Sequence, residues 1–464
     1  LAITDERNFV LQAPSGFYYA TPGAVPQIAF ERKGRGIPAQ WLDAELNRPD
    51  RVLGEIADTT NADVRTLLQM FRAAADKKVA GSLQSGVAGS PQLTVTIAEG
   101  SRSVNPTMPI QWTASDGAGP LRSLRLFANQ VPVWDTILPP GPATRSGKIM
   151  LPLVTGENQI ALVATDASGR SSVPAFRRIV YAPRTPVAGR TIVIAVAVDR
   201  YADSARNLRF AVKDGKDLLA AMRAADPAHT ITDSLFNEAV TAGSLRALRG
   251  KLLQTTPEDR VVLSFSGHGM LDSKLEFYYA TAAMDFADPK KYGFSFAELE
   301  ELFTNIPARR RLLLIDACNS GNVDRDTTSL AGADPALKVQ NVPAGSRGVV
   351  LPKPSGRSSA EIFSQLFSVS SGKSGAEIIA ATAGNAFAYE SENWQNGVFT
   401  YAILKALSES GEYDANYDGG LSVRELKLMV YPLVQQLTGG RQKPLARFEN
   451  MGYDWNLVPV KKDD

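Results

Sequence analysis

The chain holds one cysteine, Cys318, in RRRLLLIDACNSG, and two histidines, of which His268 stands in DRVVLSFSGHG. Each follows a short run of Val, Leu, Ile or Phe that reads as a buried strand. Each run ends in small residues and glycine, as a chain does where it turns at the end of a sheet. A sole thiol and a scarce imidazole at two such strand ends suggest a Cys–His catalytic pair. A thiol is a poor nucleophile while protonated, and a nearby imidazole helps form the thiolate and later hands a proton to the leaving amine. Backbone N–H groups must then stabilise the oxyanion. Gly269 and Cys318 itself are the candidate donors, since glycine lets the backbone approach a substrate closely. The competing reading is a buried structural cysteine beside a core histidine, because free Cys is among the most buried residue types. The second histidine, His229 in AAMRAADPAHTITDSLF, reads as a surface or structural residue at a strand start.

Such a pair needs a rigid frame. From about residue 190 strand and helix patterns alternate, which predicts a largely parallel sheet covered by helices. Strands are expected near 191–198, 229–236, 260–266, 311–316 and 376–382. His268 and Cys318 then fall at carboxyl ends of strands, where such sheets bind ligands. Residues 93–183 carry alternating runs, LTVTIA, PIQWTAS, LRSLRLFAN and QIALVATDASG, with turn residues at the spacing of a β-sandwich. Trp112 and Trp134 read as its core aromatics. The sandwich is expected to be a spacer or packing partner, with partner or substrate binding as the alternative. Residues 1–92 form a mixed segment with helical spacing in QWLDAELNRPDRVLGEI and DVRTLLQMFRAAADKKV, closed by a linker, VAGSLQSGVAGSPQ. Residues 322–375 are a long stretch rich in Gly, Ser, Pro and Ala, and a loop of that length in a compact domain is often functional. GKS at 372–374 is no P-loop, because the first Walker glycine is absent and a strand follows.

Composition narrows the class. With 464 residues, two or three domains are expected. A hydrophobic fraction of 44% and a charged fraction of 21% are those of a globular protein. A net charge of +2 gives no electrostatic reason to expect nucleic acid or an anionic membrane as partner. No run approaches the ~18–20 apolar residues of a membrane span. One cysteine excludes an intramolecular disulfide framework and a multi-Cys zinc site. A reactive thiol keeps best in a reducing cytosol, so a cytoplasmic location is expected. The start at Leu1 reads as a processed product or an excised fragment, which leaves a removed signal peptide or upstream domain open.

The pair SGHG and DACNSG resembles the caspase-like fold of the metacaspases and bacterial orthocaspases. TIVIAVAVDRY followed by LRFAVKDGKDLLAAM is similar to the first strand and helix of that fold, and NGVFTYAILKAL to a late helix. The resemblance covers about 188–458, with 322–375 where the fold carries its activation region. Animal caspases have Gln-Ala-Cys where this chain has Asp316-Ala317-Cys318, so the likeness is to the metacaspase side. GENQIALVATDASGRSS resembles the last hairpin of an immunoglobulin-like domain. The resemblance implies a cysteine endopeptidase working with a Cys318–His268 dyad.

Asp214, Ser266 and Asp316 match the positions that line the family's first specificity pocket. Asp316, two residues before Cys318, would share a strand face with it. Two carboxylates at the bottom of a pocket select a P1 Arg or Lys by charge-assisted hydrogen bonds. The family's pocket cysteine is Ala211 here, a change of shape more than charge. A basic-specific peptidase could cut itself, or be cut by an upstream protease, at Arg325, Lys338, Arg347, Lys353, Arg357 or Lys373.

The chemistry itself needs no cofactor. DANYDGGLSVRE, however, fits the EF-hand loop pattern in full, with Asp414, Asn416, Asp418, Gly419 and Glu425 in place, so Ca²⁺ is a candidate ligand. The alternative is a loop whose Ser422 caps the next helix, with Glu425 completing a capping box. Two other functional classes stay open. One is an inert caspase-like scaffold, and the other a transpeptidase or ligase using the same acyl-enzyme chemistry.

Overall fold

Alternate residues of the central strands are apolar toward opposite faces, the pattern of strands covered on both sides. Val261, Leu263 and Phe265 share one buried cluster with Leu313 and Ile315, while Val262, Leu312 and Leu314 belong to another. The computed structural model describes residues 2–5, 8–20, 24–25, 28–32, 35–39, 46–57, 60, 68, 71–72, 84–85, 89–97, 101–185, 187–272, 276–319, 337–339, 374–381, 389–392, 395–447 and 454–460.

Eight of the strands after residue 190 form one sheet. Its members are β1 (Thr191–Ala197), β2 (Thr230–Phe236), β3 (Arg260–Leu271), β4 (Phe277–Tyr279), β5 (Phe294–Ser295), β6 (Arg310–Asn319), β7 (Glu377–Ala380) and β8 (Leu445–Arg447). The order β2-β1-β3-β6-β7 is parallel throughout, and β8 closes the far edge antiparallel. Helices α1 (Ala211–Ala225), α2 (Ala242–Leu252), α3 (Phe296–Glu301), α4 (Val398–Ser408) and α5 (Val423–Leu437) cover the sheet. α1, α4 and α5 bury Leu218, Phe399, Ile403 and Val430 on one face, and α2 and α3 bury Leu245, Leu248 and Leu299 on the other. This is the caspase-like α/β architecture expected from the sequence. β3 runs beyond its expected end because β4 folds back antiparallel on Gly269–Leu271.

Ahead of it stand two sheets built mainly of antiparallel strands. One contains Leu121–Ala128, Val131–Ile137, Gly156–Asp166 and Ala175–Tyr181, and the other Gln92–Thr96, Thr107–Ser115 and Thr144–Pro152. Their inner faces share one core in which Trp112 is buried and Trp134 partly so. A Cβ at Gly147 would lie 2.7 Å from the Trp112 ring, so glycine there gives the indole its space. Gln84–Ser85, in the stretch read as a linker, adds a short strand beside Arg170–Ser171. In the N-terminal segment the first expected helix forms as Pro49–Ile56, with Pro at its start. Most of the second lies outside the described residues.

The two units are joined at the amino ends of β3 and β6. Arg309, 1% exposed, donates to Asn158 Oδ1 at 3.1 Å and to the Pro152 carbonyl. Glu258 accepts from the Thr155 backbone N–H and, at 2.7 Å, from its hydroxyl, and pairs with Arg310 at 3.3 Å. Arg311, also buried, donates to the Ser374 carbonyl, and Gly375 packs on Val131 and Pro132 so tightly that a Cβ would approach within 2.9 Å.

Of 322–375, the stretch expected to be structureless, Leu337–Val339 is a strand paired antiparallel with Tyr389–Ser391, which in turn pairs with Asn396–Gly397. Lys338 stands opposite Glu390 in that ladder. The other basic candidates, Arg325, Arg347, Lys353, Arg357 and Lys373, lie outside the described residues. Among the described residues no helix is long and apolar enough to cross a membrane.

Candidate active site

β3 and β6 are neighbours, and their register puts Ser266 beside Asp316, His268 beside Cys318 and Gly269 beside Asn319. Backbones of hydrogen-bonded strands lie about 4.8 Å apart. The residues singled out for chemistry thus share the carboxyl end of one sheet, although 49 positions separate Gly269 from Cys318 in the chain. Gly269 also stands opposite Tyr279 of β4.

His268 is 1% exposed. Its Nε2 lies 2.6 Å from the carbonyl oxygen of Arg206. A carbonyl only accepts, so Nε2 carries the hydrogen and Nδ1 keeps its lone pair. Nδ1 is buried and has no hydrogen-bond partner among the described residues. Burial holds the imidazole pKa down to about 4, opposed by the Arg206 carbonyl bond and assisted by the Arg206 charge. At neutral pH the ring is therefore a neutral base with one open acceptor. Arg206 ends a short 3-10 turn, Ser204–Arg206, capped by Asp203. Its guanidinium sits 5.0 Å over the Phe286 ring, which packs edge-on against His268 at 5.4 Å.

The acids come from two elements. Asp214, in the first turn of α1, accepts on Oδ1 from Asn396 Nδ2 at 2.9 Å and Gly397 N at 3.0 Å. The Ser266 hydroxyl approaches its Oδ2 at 3.4 Å. Asp316 accepts on Oδ2 from the Thr400 hydroxyl at 2.7 Å, and its buried Oδ1 has no partner among the described residues. Burial raises both pKa values. Asp214 is pushed further by the Asp316 charge, while the Thr400 hydroxyl and N–H hold Asp316 to about 6. Both carboxylates meet the amino end of α4, where unpaired backbone N–H groups favour negative charge. Glu390 adds to the negative potential at Asp214. Ala211 is buried at the start of α1.

The EF-hand-like loop is closed on itself. Asp414 accepts from the N–H groups of Asp418 and Gly419, Asn416 Oδ1 from Asp418, Asp418 Oδ1 from Gly420 and Asn456, and Glu425 from Ala415, Asn416 and Ser422. Asn416 Nδ2 donates to the remaining Asp418 oxygen. Among the described residues no three His, Cys, Asp or Glu side chains gather as metal ligands would. As arranged, the side-chain oxygens of the loop face its own donors. The same residues form a turn and the Ser422–Glu425 capping box at the start of α5. His229 is a surface residue, its Nδ1 2.8 Å from Asp226.

Four contributors to the site went unread in the sequence: the Arg206 carbonyl, Tyr201, Asn396 and Thr400. A carbonyl carries no residue signature. Tyr201 was within reach, since it follows the first strand at the carboxyl edge of the sheet. Asn396 and Thr400 bracket the start of the late helix in NGVFTY, where carboxylates are commonly held.

The profile of the family Peptidase_C14, described as Caspase domain, matches residues 190–451, more than half of the chain, and the chain belongs to that family. At the family level it is a cysteine peptidase, a hydrolase. Similar solved structures include caspase-1 from Spodoptera frugiperda, at 12% identity over 56% of this chain and 87% of that one, with a TM-score of 0.36. The fibronectin(III)-like modules of Clostridium thermocellum CbhA are 17% identical over 23% of this chain, with a TM-score of 0.18. The chain spans about half, 54%, of that second structure. No curated protein matches.

Proposed function

We propose that the chain is an endopeptidase of the metacaspase type that cleaves after Arg or Lys with a Cys318–His268 dyad. The observation that carries the reading is the neutral His268 with an open Nδ1, in register with Cys318. Nδ1 takes the thiol proton as sulfur attacks the scissile carbonyl. The N–H groups of Gly269 and Cys318 receive the oxyanion. The proton then passes to the leaving amine, and water hydrolyses the thioester. The open Oδ1 of Asp316, with Asp214 and Ser266 beside it, supports a pocket for a P1 cation. A buried anion left unpaired by a neutral P1 gives the discrimination. Cleavage within 322–375, by this chain or an upstream protease, is the proposed activating event.

The test is turnover of fluorogenic peptides differing only at P1, with Arg, Lys, Gln or Asp, by the chain and by Cys318→Ala. Turnover after Arg and Lys that vanishes in the variant is expected. Turnover confined to Asp would sink the pocket assignment. No turnover, even after limited proteolysis of the 322–375 stretch, would favour the scaffold, and joined rather than hydrolysed products would favour the ligase.

A further inference from the structure

Tyr201 follows β1 at the carboxyl edge of the sheet and is 6% exposed. Its hydroxyl lies 3.1 Å from the Val198 carbonyl and 2.9 Å from the backbone N of His268. A phenol has one proton and free lone pairs, so it donates to Val198 and accepts from His268 at once. Burial drives its pKa far up, which keeps the donor in place at any working pH. The ring packs against the imidazole, centroids 4.8 Å apart and planes at 47°. Asn207 holds the tyrosine from the other side, its Oδ1 accepting the Tyr201 N–H at 2.8 Å. Gly267 completes the fit. Its φ is +150°, and a Cβ there would lie 2.9 Å from the tyrosine hydroxyl.

We propose that Tyr201 is a positioning residue for His268: its hydroxyl fixes the backbone that bears the imidazole and its ring fixes the imidazole plane. Nε2 then reaches the Arg206 carbonyl and Nδ1 keeps the lone pair. The proposal rests on the reading of His268 as the general base. A misplacement of about 1 Å at a reacting group costs roughly a hundredfold in rate. The 2.6 Å bond from Nε2, which selects the tautomer, leaves little room for such a shift.

A second buried tyrosine supplies the comparison. The Tyr279 hydroxyl donates to the Ser266 carbonyl at 2.9 Å, beside the same glycine, while its ring packs on Phe265. Removing it takes a similar bond from the same strand without touching the imidazole.

Two histidines make the experiment clean. The full chain is labelled with ¹⁵N-histidine, and His229→Gln assigns the signals. Nitrogen shifts are followed with pH, alongside kcat and KM for a P1 Arg peptide. In the wild type His268 should hold the Nε2–H tautomer and titrate near 4. In Tyr201→Phe the tautomers should mix, the midpoint should rise, and kcat should fall roughly 10- to 100-fold with KM within about twofold. Gly267→Ala, which displaces the hydroxyl from the other side, should give the same spectral change. Tyr279→Phe should leave tautomer and midpoint unmoved. If Tyr201→Phe keeps the wild-type tautomer and midpoint, or Tyr279→Phe shifts them equally, the proposal is wrong. If the spectrum moves as expected but the wild type never turns over peptide, the positioning role stands and the general-base reading falls.

Discussion

His268 and Asp316 respond to acid in opposite ways. The imidazole pKa is depressed to about 4 from 6.5, so its contribution to stability is complete above about 6.5 and lost as pH falls toward 4. Asp316 is raised from 3.8 to about 6, so its contribution is complete below 3.8 and lost as pH rises through 6. In the proposed P1 pocket the second shift has a kinetic consequence, because only the ionised carboxylate would attract a P1 cation. Initial rates at low substrate should show kcat/KM for a P1 Arg peptide falling as pH drops through about 6. In Asp316→Asn that limb should vanish, and preference for Arg over Gln at P1 should drop roughly a hundredfold or more. An acid limb that persists unchanged in the variant would assign it to another group.

At the scale of elements, Gly267 and the turn before α5 carry the predictions. Gly267→Ala forces a side chain into φ +150° and against both Tyr201 and the Val198 carbonyl, 2.9 and 3.2 Å away. Urea unfolding should register a loss of about 1–3 kcal/mol. Ser422→Ala removes one half of a capping box and should cost about 1 kcal/mol by the same assay. Because the loop Asp414–Glu425 closes through its own N–H groups, exchanging calcium for chelator should shift Tm by less than about 1 °C. A rise of several degrees with calcium would show the loop opening to bind it. The parallel strands were legible because Val, Ile and Leu runs sit between helical patterns, as in TIVIAVA and RRLLLID. The pairing of His268 with Cys318 needed the register, which alternation implies but spacing along the chain does not. The strand at Leu337–Val339 was hidden because three residues give too short a pattern to distinguish from loop. The EF-hand-like spacing carries two readings, because the same acids that ligate a cation also cap a turn.

In the whole molecule, the sandwich grips the sheet at the end opposite His268. Arg309 is buried between the units, so truncating it leaves the Pro152 carbonyl without that donor and should cost about 2–4 kcal/mol. Calorimetry of Arg309→Ala should then resolve two transitions where the intact chain gives one. A single unshifted transition would show that the contact couples nothing. The same region governs what a cut would do. The chain after 374 returns as β7, hydrogen-bonded between β6 and β8, while Arg311 and the sandwich hold its first residues. A break anywhere in 322–373 therefore leaves two polypeptides sharing one sheet, with no free edge between them. Such a nick should pass unseen in gel filtration, where mass and shape persist, and show only when detergent dissolves the sheet and two bands replace one.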